Sequence, residues 1–434
     1  MPPFDQASIR IGSINMINNS MNFSQVMSIL LRALDQIDTR VVNHGRRVAY
    51  MVLKMMQADG SYSRKSMQEI CILAALHDIG AYSKEEIDQM MLFESVDVYD
   101  HSIYGHLFFK YMSPLGKWAD AILYHHLDYE YYPSFHSGEH WNVAAMIHLA
   151  DRMDVLFRGG EPWQDNAEIR RRQEIRSGKT TVELFWEAEK RFRIEEKLKD
   201  GSYAEELAAF FSTVEYSKNM LLEYIRMMAY TIDFRNEFTA SHTITTASIS
   251  LELGKLLDMD AAELEKIQLG AYLHDIGKIA TPPEILGKTG ALTSEEMRIM
   301  RKHVETTGKI LTGYTDEDVF RIAYRHHEKL DGSGYPEQLR AEQLTMSERI
   351  VAVADLISAL VGKRSYKEGF PKEKVLEILR QQKDAGKLCS RVTEQAIRHY
   401  DAILETSNKY IRVIAELYNR FSAESRHLRM SLEN

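Results

Sequence analysis

The sequence predicts an all-α protein made of two tandem helical bundle domains joined by a helical connector. Only 9 prolines occur in 434 residues, which leaves room for many uninterrupted helices. Apolar residues recur at helical spacing, for example across residues 41–55, whereas the best candidate for strand alternation is the short stretch 8–16. An internal repeat with an offset of about 200 residues indicates that the bundle occurs twice.

The repeat consists of seven side chains of the metal-ligand type, in the same order in both halves. From His44 to His77 there are 33 residues, and from His242 to His274 there are 32. The local sequences ILAALHDIG (72–80) and LGAYLHDIG (269–277) also match. We therefore interpret the chain as a tandem duplication. The two sets are His44, His77, Asp78, His101, His125, His126 and Asp151, and His242, His274, Asp275, His303, His326, His327 and Asp355.

The predicted domain organisation follows from the repeat and from a charged segment between its copies. Residues 160–232 are rich in Glu, Arg and Lys with spaced apolar residues and contain no Gly/Ser/Pro linker, which favours a helical connector. We predict an N-terminal domain at 1–180, a connector at 181–232 and a C-terminal domain at 233–434.

Composition excludes several classes of protein. A formal net charge of -9 argues against general affinity for nucleic-acid polymers. The 2 cysteines lie in different halves without a CxxC motif, which is typical of a reducing compartment. The N-terminus does not have the pattern of a signal peptide, and no apolar run approaches the ~20 residues of a membrane span. We expect a soluble, cytoplasmic protein that does not bind membranes.

The donor set points to metal-dependent hydrolysis. Imidazoles and carboxylates are natural ligands of borderline divalent metals. Five histidines and two aspartates are too many for one ion and fit two ions bridged by a carboxylate, for which Asp275 is best placed beside His274. Two metals about 3.5–4 Å apart activate a water and neutralise phosphate charge in phosphoester hydrolysis. Asp355 lies among apolar residues, where a buried carboxylate needs a metal or an Arg as its partner.

Three further features accompany the C-terminal set alone. Lys278 directly follows Gly277. We interpret Gly277 as a helix C-cap. The glycines of the turn DGSGYP (331–336) let the backbone approach a nucleotide, on which its tyrosine can stack. The basic segment KRSYK (363–367) follows the Asp355 helix. Singly these features would be an exposed lysine, a turn and a basic loop, but together they favour a phosphate site. The candidate substrate-binding residues are Lys278, Gly334, Tyr335, Pro336, Arg364 and Lys367.

Residues 242–367 resemble the HD-GYP domain, a subgroup of the HD superfamily of metal phosphohydrolases. The resemblance rests on His242, HDIGK (274–278), His303, HHE (326–328), DGSGYP (331–336), Asp355 and RSYK (364–367). It implies an all-helical phosphodiesterase for cyclic dinucleotides, chiefly cyclic di-GMP. The resemblance leaves open 3'3'-cyclic GMP-AMP or another nucleotide as the substrate, and a sensor that does not hydrolyse its ligand.

The resemblance also implies the roles of single residues. Asp275 and Lys278 would be catalytic, and Lys278, Arg364 and Lys367 would contact the substrate phosphates. Members with three metals carry a Glu four residues before the first His, where this chain has Phe238, so a binuclear site is expected. Iron or manganese is expected as the metal, and nickel is a further candidate. One ion would be held by His242, His274, Asp275 and Asp355, and the other by Asp275, His303, His326 and His327.

The N-terminal half resembles the HD superfamily more distantly. All seven ligand types are present, but Ala81 stands where Lys278 would be, and LDYEYYPSF rather than a Gly-rich turn follows His125 and His126. We expect a regulatory or ligand-binding domain with a candidate second metal site. A homodimer and signalling partners of the diguanylate-cyclase type stay open.

Overall fold

The computed structural model describes residues 21–36, 43–80, 99–131, 138–160, 163, 167–213, 217–233, 241–288, 290–362 and 369–432. Within these ranges the chain forms α-helices and short 3-10 turns, and the only β-type pairing there is an isolated bridge between Asp331 and Arg340. The predicted all-α fold is confirmed. The strand candidate at 8–16 lies outside the described residues.

The chain divides into two compact units. We call residues 30–216 with 421–434 the N-terminal unit, and residues 217–420 with 1–29 the C-terminal unit. Two helices contribute residues to both units, α1 (Phe23–Leu34) and the last helix, α20 (Tyr400–Leu432).

The N-terminal unit is organised around helix α2 (His44–Asp59). This helix packs against α3 (Arg64–Ala75), α6 (Glu139–Arg158) and α8 (Lys179–Phe192). Val48, Met51, Val52 and Met55 are fully buried on α2, in agreement with the apolar spacing in the sequence. The other helices of this unit are α4 (Tyr99–Met112), α5 (Ala119–Leu123), α7 (Ala167–Ser177), α9 (Ile194–Asp200) and α10 (Tyr203–Ser212).

The C-terminal unit is organised around helix α12 (His242–Leu256). This helix packs against α13 (Ala261–Leu273) and α17 (Met346–Val361), while α16 (Glu317–Tyr324) packs on α13. Helix α15 (Ser294–Leu311) packs on the 3-10 turn that follows α13. The other helices are α11 (Lys218–Asp233), α14 (Pro283–Leu286), α18 (Lys372–Asp384) and α19 (Ser390–Arg398).

Capping interactions between side chains and backbone are present at the N-termini of three of these helices. Thr345 and Glu348 form a reciprocal capping box at the start of α17. Equivalent boxes begin α13 at Asp260 and α15 at Thr293. Each box pairs backbone N–H groups that would otherwise have no partner, and this contributes typically ~1 kcal/mol of helix stability. The start of each helix, and hence the position of the functional residues along it, is fixed by this local chemistry.

The segment predicted as a connector is helical where it is described. Helices α8, α9 and α10 belong to the N-terminal unit, and α11 belongs to the C-terminal unit. The domain boundaries at 180 and 232 stay predictions. None of the helices in the described part of the chain combines the length and the apolar character needed to cross a membrane.

Candidate metal centres

Seven donor side chains of the C-terminal unit come together from the ends and middles of its helices. His242 is the first residue of α12, His303 lies in α15 and Asp355 lies in α17. The remaining donors follow the last residues of α13 and α16. We call this set the C-terminal cluster. Its members are His242, His274, Asp275, His303, His326, His327 and Asp355.

Asp275 lies at the centre of the C-terminal cluster. Its Oδ2 is 3.4 Å from His242 Nε2 and 3.1 Å from His274 Nε2. Its Oδ1 is 3.3 Å from His303 Nε2 and 3.9 Å from His326 Nε2. The two carboxylate oxygens therefore face different pairs of imidazoles. A carboxylate that bridges two metal ions requires this arrangement.

Asp355 and His327 complete the two groups of donors. Asp355 Oδ1 lies 3.2 Å from His242 Nε2 and 3.6 Å from His274 Nε2. Its Oδ2 lies 3.7 Å from His327 Nδ1. The carboxylate of Asp355, which the sequence places among apolar residues, is thus surrounded by imidazoles.

Backbone carbonyls fix the ring orientation of three of these histidines. The Nδ1–H groups of His274, His303 and His326 donate to the carbonyl oxygen three residues earlier, at 2.7, 2.6 and 2.7 Å. Because Nδ1 donates to a carbonyl oxygen, each Nε2 faces the centre of the cluster and presents a lone pair there when the imidazole is neutral. Hydrogen bonds of this type commonly orient metal-ligating histidines.

Gly277 brings the His-Asp turn against helix α15. A Cβ at Gly277 would lie 1.9 Å from the carbonyl oxygen of His303, so no side chain fits there. The Gly277 N–H donates to Thr307 Oγ1 at 3.0 Å. The interpretation of Gly277 as a C-cap is wrong, because α13 ends at Leu273 and Gly277 lies in the 3-10 turn Ile276–Ala280. Close backbone approach is the reason for this glycine.

The electrostatics of the C-terminal cluster favour bound positive charge. Burial lowers the pKa of His303 to about 4 and that of His327 to about 3. Burial opposes the charge on Asp275, but His274 and Lys278 hold its pKa well below the usual range. Burial also opposes protonation of His274, yet the Asp275 carboxylate raises that pKa to about 10. A cation that binds the cluster would displace this proton.

Lys278 and Tyr335 border the donors. Lys278 Nζ lies 2.5 Å from Asp275 Oδ2. The Tyr335 ring lies 4.8 Å, between centroids, from the His327 ring. A lysine and an aromatic ring therefore lie against donor side chains of the C-terminal cluster.

Glu328 holds the turn 331–336 in place, a role that the sequence analysis missed. Its buried carboxylate accepts backbone hydrogen bonds from Glu337, Gln338 and Leu339 at 2.6, 3.1 and 2.9 Å. A Cβ at Gly334 would lie 2.4 Å from Glu328 Cα, so the turn packs directly on the HHE segment. Gly334 is therefore required for packing at this point.

A cavity of about 530 Å³ opens against the turn. Arg301 lies with its guanidinium carbon 5.0 Å from the centre of the Tyr335 ring. We call Arg298, Arg301 and Lys302 the cationic wall of this cavity. It was not predicted from the sequence, although these basic residues recur about one helical turn apart just before His303. The lining residues are Ser294, Met297, Arg298, Arg301, Lys302, Glu305, Tyr335 and Pro336. The predicted phosphate contacts Arg364 and Lys367 lie outside the described residues.

The N-terminal unit contains a second convergence of donors. Asp78 Oδ2 lies 3.4 Å from His44 Nε2 and 3.3 Å from His77 Nε2, and its Oδ1 lies 4.0 Å from His125 Nε2. Asp151 Oδ1 lies 3.3 Å from His44 Nε2. We call this set the N-terminal cluster, with members His44, His77, Asp78, His101, His125, His126 and Asp151.

The two clusters differ in the group that orients the first histidine. In the C-terminal cluster, Ser358 Oγ lies 3.0 Å from His242 Nδ1. In the N-terminal cluster, Asp154 Oδ2 lies 2.7 Å from His44 Nδ1. Ser358 lies three residues after Asp355, and Asp154 lies three residues after Asp151. Comparing the two halves of the repeat one helical turn further along the chain would therefore have identified both residues.

The sequence and fold of this chain resemble those of known proteins. Residues 226–389 match the family described as the HD domain, which confirms the predicted resemblance for this part of the chain. The chain is 28% identical over 423 residues to 3'3'-cGAMP-specific phosphodiesterase 1 of Vibrio cholerae, a match that covers 93% of this chain and 96% of that protein. It is 33% identical over 215 residues to a cyclic di-GMP phosphodiesterase of Thermotoga maritima, covering 49% of this chain and 54% of that protein.

A solved structure shares the fold. The crystal structure of a cyclic GMP-AMP specific phosphodiesterase of Vibrio cholerae aligns with a TM-score of 0.54 at 18% identity. The alignment covers 90% of this chain and 98% of that one. At this identity the likeness supports the all-helical fold.

Proposed function

We propose that this HD-domain protein is a metal-dependent phosphodiesterase that hydrolyses a cyclic dinucleotide at the C-terminal cluster. The observation that carries the proposal is the geometry of Asp275, whose two oxygens face two separate groups of imidazoles beside Lys278. Curated relatives that act on cyclic dinucleotides support the substrate class.

The donor set fits a pair of divalent cations. His274 Nε2 and Asp275 Oδ1 are buried and have no hydrogen-bond partner among the described residues, which is costly unless an ion occupies the space between them. Iron or manganese suits these ligands, and nickel is a further candidate. Bound there, the ions would lower the pKa of a water and offset phosphate charge. One ion would be held by His242, His274, Asp275 and Asp355, and the other by Asp275, His303, His326 and His327.

The remaining residues bind and orient the substrate. Lys278 is placed to stabilise charge that develops on the phosphate, and such preorganised donors act strongly in a site from which water is excluded. The ring of Tyr335 can stack on a base of the substrate, and Arg301 belongs to the cationic wall of the cavity. Arg364 and Lys367 would supply further phosphate contacts. Hydrolysis would produce a linear dinucleotide or the mononucleotide.

Two substrates are candidates. The motif resemblance favours cyclic di-GMP, whereas the match along nearly the whole chain to a 3'3'-cGAMP-specific enzyme favours 3'3'-cyclic GMP-AMP. The choice depends on contacts with the two bases.

The test is turnover of a nucleotide panel by the purified full-length protein loaded with Mn²⁺ or Fe²⁺. Chromatography would follow the loss of cyclic di-GMP, 3'3'-cyclic GMP-AMP and a cyclic mononucleotide. We expect hydrolysis of at least one cyclic dinucleotide and its loss in Asp275→Ala. Tight binding of a cyclic dinucleotide without turnover, under every metal tried, would instead support a sensor.

A further inference from the structure

We propose that Thr307 is a positioning residue for the reaction, because its hydroxyl ties the turn 274–278 to helix α15 and thereby holds Asp275 and Lys278 in place. The inference rests on the proposed function of the C-terminal cluster. Thr307 is fully buried and lies in α15, four residues after His303.

The hydroxyl of Thr307 binds both ends of the His-Asp turn. Its Oγ1 donates to the carbonyl oxygen of His274 at 3.1 Å and accepts from the N–H of Gly277 at 3.0 Å. A hydroxyl has one hydrogen to donate and lone pairs to accept, so a single oxygen can make both bonds. We call these two hydrogen bonds the Thr307 clamp. Asp275 lies between the two clamped backbone groups.

The backbone of this turn needs partners from outside its own helix. Helix α13 ends at Leu273, and carbonyl groups at the end of a helix have no partner within it. The N–H of Lys278 closes the turn on the Asp275 carbonyl at 2.9 Å. A threonine hydroxyl within a helix often bonds a carbonyl of the preceding helical turn, whereas that of Thr307 bonds the His-Asp turn instead.

The Thr307 clamp bears on the geometry that the proposed reaction needs. Asp275 Oδ2 lies 3.1 Å from His274 Nε2 on the same turn, while its Oδ1 lies 3.3 Å from His303 Nε2 on α15. Because α15 carries both His303 and Thr307, a shift of the turn away from α15 would change the second distance. It would also move Lys278, whose Nζ lies 2.5 Å from Asp275 Oδ2. A displacement of about 1 Å can lower a rate about 10²-fold.

The repeat provides a comparison within the chain. The residue equivalent to Thr307 is Gly105, four residues after His101. A Cβ at Gly105 would lie 3.6 Å from the carbonyl oxygen of His77 and 3.9 Å from the backbone nitrogen of Gly80. Equivalent backbone groups therefore face this position in both units, but glycine has no hydroxyl to bind them. The clamp is a difference between two turns of the same backbone shape, which favours a role in the reaction over a role in the fold.

The experiment compares three variants of the full-length protein at saturating Mn²⁺. Thr307→Val keeps the shape of the side chain but removes the hydroxyl, and Thr307→Ser keeps the hydroxyl. Thr393→Val is the matched control, since Thr393 is fully buried in the same unit and its hydroxyl has no hydrogen-bond partner among the described residues. We expect kcat for the cyclic dinucleotide to fall about 10–100-fold in Thr307→Val, with KM nearly unchanged. Thr307→Ser and the control keep most of the wild-type kcat.

Two further measurements do not depend on turnover. Hydrogen exchange followed by mass spectrometry reports the protection of residues 274–280, and chelator competition reports the affinity for Co²⁺. We expect faster exchange and about 10-fold weaker Co²⁺ binding in Thr307→Val, and neither change in Thr307→Ser. If Thr307→Val does not fold, Thr307→Ala takes its place, because alanine and serine differ by the hydroxyl alone.

Two results would overturn the proposal. One is a lower melting temperature of Thr307→Val with unchanged kcat, which would make the hydroxyl a purely structural group. The other is an equal loss of kcat in Thr307→Val and Thr307→Ser, which would assign the effect to packing of the methyl group. A wild type that hydrolyses no cyclic dinucleotide would contradict the proposed function instead, and unchanged exchange and Co²⁺ affinity in Thr307→Val would then overturn the clamp separately.

Discussion

The two clusters have equivalent donors at nearly equal distances, yet different groups surround them. In both, an aspartate that follows a histidine directs one oxygen to each of two groups of imidazoles. In the C-terminal cluster, Lys278 lies against that aspartate and Tyr335 lies beside the last histidine, and the described residues of the N-terminal unit place no lysine against Asp78. On the proposed function, the donors hold the metal, while Lys278 and the Tyr335 ring contact the nucleotide.

The largest difference between the clusters is expected from Lys278. Replacing Lys278 with Gln removes the cation next to Asp275 but keeps a side chain of similar length. We expect kcat to fall about 10²–10³-fold, the usual loss when one preorganised charge-stabilising donor is removed, with metal content retained. Steady-state kinetics and elemental analysis on the same preparation test this. An unchanged kcat would leave the C-terminal cluster with no catalytic advantage over its N-terminal counterpart.

Metal removal is expected to destabilise the protein, because both clusters bury carboxylates and bare imidazole nitrogens that lose their cation. Ions present at 100 times their dissociation constant contribute about 2.7 kcal/mol, which corresponds to about 5–10 °C in the melting temperature of a unit this size. Calorimetry before and after chelation, with Mn²⁺ restored as the control, measures the shift. If both clusters bind metal, Asp151→Asn and Asp355→Asn each remove part of the shift in melting temperature that chelation causes. If only Asp355→Asn reduces this shift, metal binds at the C-terminal cluster and not at the N-terminal cluster.

The groups behind the first histidines provide a smaller test. Ser358→Ala removes the hydroxyl that holds His242 Nδ1, and we expect metal affinity of the C-terminal cluster to fall about 10-fold. Competition with a coloured chelator measures the affinity. The control is Ser407→Ala, which removes another buried hydroxyl of the same unit far along the chain. Equal losses in both variants would mean that the effect comes from packing rather than from orientation of His242.

The smallest effect on turnover is expected at the cationic wall. Arg301→Ala removes the guanidinium over Tyr335, and we expect KM to rise about 10-fold, equivalent to the loss of roughly 1.4 kcal/mol of binding, with little change in kcat. Arg321→Ala, which removes an arginine paired with Asp318 instead, is the matched control. A matching rise in KM for the control would mean that general positive charge, rather than this wall, attracts the substrate.

Sequence patterns predicted the helical fold and the donors because both leave periodic or chemically distinctive marks. Helix α2 has apolar residues at helical spacing, and the seven donors occur twice in order. The contacts of Arg301, Glu328 and Asp154 were not predicted, because each is made with residues of another segment of the chain that the spacing of the motifs does not identify. Gly277 was misassigned because a glycine needed for close approach and a glycine that caps a helix look alike in sequence.

On the proposed function, catalysis depends on the C-terminal cluster and not on the N-terminal cluster, which has the same seven donor types. The most direct measurement compares turnover of the hydrolysed cyclic dinucleotide by Asp275→Ala and by Asp78→Ala, the equivalent aspartates, in full-length protein loaded with the same metal. We expect Asp275→Ala to lose about 10⁴-fold or more in kcat/KM, equivalent to about 5.5 kcal/mol of transition-state stabilisation, and Asp78→Ala to retain turnover. Retained hydrolysis in Asp275→Ala together with its loss in Asp78→Ala would assign catalysis to the N-terminal cluster instead.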